Sequence, residues 1–190
     1  YIDLDLESLD ITVIWQDKVK NFNPSEYKKT FTYYESKDGT MVPLTYFHRK
    51  DIELNSQTPV FLYGYGGYNI SIRPSFSRKY VGWLELGGVV AIANLRGGGE
   101  LGKKWHNAGR LKEKQNVFDD FLYASKYLEA EGVGNRKSTV ISGRSNGGLL
   151  VGTSLVQNPN YFGATLPAVG VLDMLRFTEF TEGWGWRGDY

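Results

Sequence analysis

A chain of 190 residues, 41% hydrophobic and 15% aromatic, fits one domain with ample material for a core. Its 22 basic residues nearly balance 21 acidic ones, which gives no electrostatic case for nucleic acid or an anionic membrane surface as partner. The absence of cysteine excludes a disulfide frame, a thiolate metal site and a catalytic thiol, and suits a cytoplasmic protein.

The first ten residues are acidic and partly alternating, wrong for a signal peptide, and no apolar run approaches the ~20 residues of a membrane helix. Residues 1–27 read as a strand or two followed by a polar connector, Asn21-Phe-Asn-Pro-Ser-Glu26. Both ends of the chain look cut from something longer. Residues 28–47 alternate around Ser36-Lys-Asp-Gly39, a hairpin with Asp-Gly at its turn. Pro59-Val-Phe-Leu-Tyr63 suits a buried strand, with proline tolerated at its first position. A helix over 80–86 with Trp83 and Leu84 inward precedes a second apolar strand over 88–94.

The clearest helix spans 115–131, where Val117, Phe118, Phe121, Leu122 and Leu128 recur at helical spacing and Gly132 ends it. A strand over 139–142, a helix to about 157 and a strand over 164–169 complete the pattern. Strands alternating with helices predict an α/β fold, a mostly parallel sheet with helices on both faces.

The stretch carrying the chemistry is Thr139-Val-Ile-Ser-Gly-Arg-Ser-Asn-Gly-Gly-Leu-Leu150. A β-branched run enters a Gly-x-Ser-x-Gly turn and an apolar segment leaves it, the layout of a nucleophile elbow with Ser145 at its tip. Gly143 and Gly147 flank the serine where a tight turn leaves no room for Cβ atoms. An ordinary Gly-rich strand–helix turn is the competing explanation. If the serine is catalytic, the backbone N–H of Asn146 is one oxyanion donor. A second donor is sought in Leu62-Tyr-Gly-Tyr-Gly-Gly-Tyr68, either a backbone N–H or the Tyr65 hydroxyl; a glycine turn with core tyrosines explains that loop equally well.

Two nucleotide-binding readings fail on the residues. Gly97-Gly-Gly-Glu-Leu-Gly-Lys103 matches seven positions of a P-loop, but Lys104 stands where Ser or Thr must hold magnesium, and 105–107 do not open a convincing helix. Gly64-Tyr-Gly-Gly-Tyr-Asn69 begins like a dinucleotide fingerprint, but Asn69 replaces its third glycine. The two histidines, His48 and His106, both precede Ser145, and His106 has no aspartate spaced to suggest a relay. Both read as structural, so the sequence holds half an active site. The last fifteen residues, with Trp184, Trp186 and Tyr190 spaced by glycines, either line a flat apolar pocket or form a loop pinned by buried rings. The sequon at Asn69 reads as chance.

Taken in order, these motifs resemble the prolyl oligopeptidase family of serine peptidases. The resemblance rests on Ser36-Lys-Asp-Gly39, Phe61-Leu-Tyr-Gly-Tyr-Gly-Gly67, Ala93-Asn-Leu-Arg-Gly-Gly-Gly-Glu100, Trp105-His106, Lys114-Gln-Asn116 with Phe118-Asp-Asp-Phe121, and Ser145-Asn-Gly-Gly-Leu-Leu150. Val169-Gly-Val171 with Asp173-Met174 continues it. The family implies an α/β-hydrolase domain beside a β-propeller. Residues 1–27 then correspond to the propeller exit and linker, and 28–190 to the N-terminal part of the catalytic domain.

The resemblance further implies Ser145 as nucleophile, the Asn146 amide and Tyr65 hydroxyl as oxyanion hole, and Trp186 stacking on a substrate proline, with Tyr68, Val171 and Tyr190 as other pocket walls. Tyr68 departs from an expected phenylalanine and Arg144 from a frequent glycine. It implies cleavage of short peptides after proline by a monomer without cofactor or metal, inert until a downstream Asp and His are present. The alternatives are an oligopeptidase cutting after basic residues and a non-catalytic peptide-binding protein.

Overall fold

The computed structural model describes every residue except 17, 18, 21, 74 and 181. Asn21 of the expected connector and Thr181 of the aromatic-rich tail therefore lie outside the described residues. Two sheets form. The first pairs β1 (Ile2–Leu4) and β2 (Ile11–Val13) antiparallel, and both strands are exposed along their length. Pro24–Glu26 then make a 3-10 turn capped by the Asn23 side chain.

The main sheet has β3 (Tyr27–Glu35), β4 (Met41–Arg49), β5 (Val60–Tyr63), β6 (Val89–Ala93), β7 (Thr139–Arg144) and β8 (Ala164–Ala168), ordered β3-β4-β6-β5-β7-β8. β6, β5, β7 and β8 run parallel, while β3/β4 and β4/β6 pair antiparallel. The expected hairpin is thus an antiparallel edge on a parallel sheet, a common mixture. Its turn closes as Asp-Gly predicts: Gly39 has φ 82°, and the Ser36 amide donates to the Thr40 carbonyl at 2.8 Å.

Helices cover both faces because β5 alternates. Val60 and Leu62 point into a core shared with Phe121 and Leu150. Phe61, one residue out of phase, meets Tyr80 and Trp83 of α1 (Arg78–Glu85), centroids 5.8 and 5.6 Å apart. In α1 Leu84 is buried as expected, whereas Trp83 is only partly so.

The helix α3 (Gln115–Ala130) follows its apolar stripe: Val117, Phe121, Ala124 and Leu128 are fully buried. Beyond it, α4 (Asn146–Gln157) packs on β7 and β8. One element departs from sequence reasoning. Residues 103–107 form a short helix, α2, although their composition is a poor helix signal. Tertiary anchoring explains it: Trp105 is buried, and its indole N–H donates to the Leu95 carbonyl at 3.0 Å.

Candidate active site

The elbow forms where β7 ends. Ser145 has φ 58° and ψ −115°, a left-handed conformation rare for a side chain-bearing residue, and caps the N-terminus of α4. Its amide donates to the Ala168 carbonyl at 2.9 Å, and its carbonyl accepts from Gly148 and Leu149 at 2.8 and 3.1 Å. The side chain is exposed. Glycines make this approach possible: a Cβ on Gly143 would lie 2.2 Å from the Gly147 carbonyl oxygen, and one on Gly147 would lie 2.7 Å from that of Gly64. The loop after β5 is therefore seated directly against the first turn of α4.

That loop carries Tyr65 to the serine. The Ser145 hydroxyl reaches the half-buried Tyr65 phenol. Burial raises the phenol above its ordinary pKa, helped by Tyr63 and Asp189, and the serine contact offsets part of this. Tyr65 is accordingly a neutral O–H donor around pH 7. The Asn146 side chain locks the arrangement, its Nδ2 donating to the Tyr65 carbonyl at 2.6 Å while its Oδ1 accepts from Lys114 Nζ at 3.1 Å. The Asn146 backbone N–H belongs to the first turn of α4, whose amides an α-helix leaves without internal partners.

The expected pocket residues come together in part. Tyr68 (φ 57°) meets Tyr190 edge-to-face at 5.7 Å, and Tyr190 meets Phe177 at 5.4 Å. The Tyr190 hydroxyl is buried with no hydrogen-bond partner of good geometry among the described residues, and burial pushes it up to about 12. Trp186 ends a 3-10 turn, Gly183–Trp186, and its carbonyl accepts from the Asp189 and Tyr190 amides at 3.0 and 3.3 Å. Val171 follows Gly170, whose backbone is packed against Gly148 of the elbow helix. Arg144 is exposed at the end of β7 and lines a cleft of about 570 Å³ with Arg73, Lys79 and Tyr80.

Both histidines are engaged away from the serine. His48 Nδ1 is 2.7 Å from the carbonyl of Arg49. His106 Nε2 lies 2.9 Å from Asp189 Oδ1, a pairing hidden in the sequence by a separation of 83 positions. Asp189 also accepts from the Tyr68 amide at 3.0 Å and from Lys114 at 3.3 Å. Sequence reasoning missed Asp189 and Lys114 as site neighbours, since nothing local marks a carboxylate that long-range packing buries. The Gly-rich run at 97–99 is a packing seat: a Cβ on Gly97 would lie 2.7 Å from the Gly66 carbonyl oxygen.

The serine thus stands on a glycine-flanked elbow, and a family model matches the stretch of chain that carries it. The model described as the prolyl oligopeptidase family matches residues 74–189. The chain belongs to the prolyl oligopeptidase family. It is 45% identical over 177 residues to a prolyl endopeptidase of Elizabethkingia meningoseptica, covering 93% of this chain and 25% of that protein. It is 40% identical over 190 residues to a prolyl endopeptidase of Dictyostelium discoideum, covering 98% and 25%. Thus the chain spans about a quarter of the length of the curated family members it matches.

Among solved structures, one from a mechanistic study of two prolyl endopeptidases superposes with TM-score 0.95 at 44% identity, over 100% of this chain and 28% of that one. Prolyl oligopeptidase B of Galerina marginata, bound to a 35mer hydrolysis and macrocyclization substrate, gives TM-score 0.92 at 38% identity, over 97% and 26%. These establish the fold as that of the family's α/β-hydrolase domain. Among the described residues, no helix is long and apolar enough to cross a membrane, and no His, Cys, Asp or Glu cluster could hold a metal ion.

Proposed function

We propose that this chain is the N-terminal part of the catalytic domain of a serine oligopeptidase that hydrolyses short peptides on the carboxyl side of proline. In this reading residues 1–27 are the exit and linker of a β-propeller. The observation that carries it is the strained, exposed Ser145, with the loop that bears Tyr65 seated against the first turn of the helix it caps. Ser145 Oγ attacks the scissile carbonyl, expelling the amine and leaving an acyl-enzyme that water then hydrolyses. The Asn146 amide and the Tyr65 hydroxyl donate to the oxyanion as charge develops there, the term that usually contributes most. In this reading the general base and its acid partner come from outside this sequence, because both histidines here precede Ser145, whereas the hydrolase order places acid and base after the serine.

The tyrosine rings at 68 and 190, which meet edge to face, are of the flat apolar kind suited to a proline ring, and in this reading Trp186 and Val171 complete the wall. A pocket for a basic side chain would need an uncommitted carboxylate. Asp189, the buried acid beside this wall, is already occupied by Lys114, His106 and the Tyr68 amide. In the full-length protein, reporter peptides ending in proline should be cleaved with higher kcat/KM than the matching arginine peptides, and Ser145→Ala should abolish both activities. An arginine preference would overturn the proline assignment, and full activity of Ser145→Ala would overturn the enzyme reading itself.

A further inference from the structure

The site contains a largely enclosed cation that the proposed mechanism does not use. Lys114 sits immediately before α3, its side chain 12% exposed, and its ammonium reaches three separate segments. It donates to the Gly66 carbonyl at 3.2 Å, to Asn146 Oδ1 at 3.1 Å and to Asp189 Oδ2 at 3.3 Å. An ammonium has three N–H donors, so these acceptors saturate it. The Tyr190 ring stands 5.1 Å from the same nitrogen, within cation–π range.

The consequences run outward in two directions. Because Asn146 Oδ1 faces Lys114, its Nδ2 must face the Tyr65 carbonyl, to which it donates at 2.6 Å. The carbonyls of Tyr65 and Gly66 are thus held in succession, one by Asn146 and one by Lys114 itself, and together they fix the root of the Tyr65 side chain. On the other side Asp189, 5% exposed, passes the restraint to the pocket wall through the Tyr68 amide at 3.0 Å. Space is closed around this knot: a Cβ on Gly67 would fall 2.5 Å from Asn146 Nδ2 and 2.9 Å from Asp189 Oδ2.

We propose that Lys114 is a positioning residue, with Asp189 as its counter-ion, that sets the Tyr65 hydroxyl against Ser145 and joins the oxyanion loop to the Tyr68–Tyr190 wall. This rests on the oxyanion role assigned to Tyr65 above. A misplacement of about 1 Å can lower turnover on the order of a hundredfold. The full-length Lys114→Met variant should therefore lose kcat on that scale with a much smaller change in KM.

A double-mutant cycle with Tyr65→Phe separates positioning from general destabilisation. If Lys114 acts through the phenol, Lys114→Met should lose little further activity once the hydroxyl is gone. Lys114→Arg, which keeps a charged multiple donor, should recover part of kcat. Lys114→Gln replaces the Met variant in the cycle if the latter does not fold. Additive losses in the cycle, or unchanged kcat in a folded Lys114 variant, would overturn the inference while leaving the oxyanion assignment intact. A silent Tyr65→Phe would overturn both.

Discussion

Ser145 holds a backbone conformation of a kind that costs about 1–3 kcal/mol and persists only where its surroundings over-determine it. Here the determinants are backbone to backbone: the Ala168 carbonyl on its amide, and the helix amides of Gly148 and Leu149 on its carbonyl. Gly143 is the residue whose substitution would disturb this most directly. Its missing Cβ would stand 2.2 Å from a main-chain oxygen, a clash that no rotamer change relieves. We expect Gly143→Ala to destabilise the protein by about 1–3 kcal/mol, the range for overpacking. Turnover should fall with it, read from denaturant midpoints and kcat, because the shift passes straight into the serine. A variant with unaltered midpoint and kcat would show that the turn has slack that the geometry denies.

Between elements, the hairpin and α3 are joined by a buried ion pair rather than by apolar contact alone. Arg96 donates from Nε and Nη2 to Asp120, with Nη2 to Oδ1 at 2.6 Å, and also reaches Asp38 in the hairpin turn. Asp120 accepts further from the Ser36 hydroxyl at 2.5 Å and the Arg96 amide at 3.1 Å. The Tyr34 hydroxyl donates to the Asp120 carbonyl, bringing β3 to the same point. Asp120 is 0% exposed, so removing its partner strands a buried charge. Arg96→Met should therefore cost about 3–5 kcal/mol of stability in chemical denaturation. A loss below about 1 kcal/mol, the scale of an exposed surface pair, would mean that water reaches the carboxylate after the change.

At the scale of the whole chain, cohesion is uneven. Leu62, Ile141 and Leu150 lie at the centre of one apolar core between the sheet and the helices α3 and α4. The β1–β2 hairpin has its own two-stranded sheet, with Ile2, Ile11 and Val13 each at least 60% exposed. An isolated two-stranded hairpin is marginally stable in water. In the 190-residue chain, amide hydrogen exchange should be fastest in β1 and β2 and slowest in β5 and β7. Comparable protection in both sheets would show that the hairpin is covered in solution.

The sequence by itself determined the parts governed by local rules. Periodicity marks α3, Asp38-Gly39 sets the hairpin turn, and Gly143 and Gly147 around Ser145 impose a turn that a Cβ would block. These signals survive because each depends on residues within a few positions of one another. Sequence patterning did not reveal α2, because Trp105 holds that turn from within the core. Nor did it reveal that the hairpin joins the parallel sheet by an antiparallel pairing of β4 with β6, since which strands become neighbours is a property of pairing and not of composition. Only the tertiary structure decided that His106 and Asp189 meet, and that Lys114 knots Gly66, Asn146 and Asp189 together. Those contacts join residues tens of positions apart, and burial, which no local pattern encodes for a lysine or an aspartate, gives them their strength.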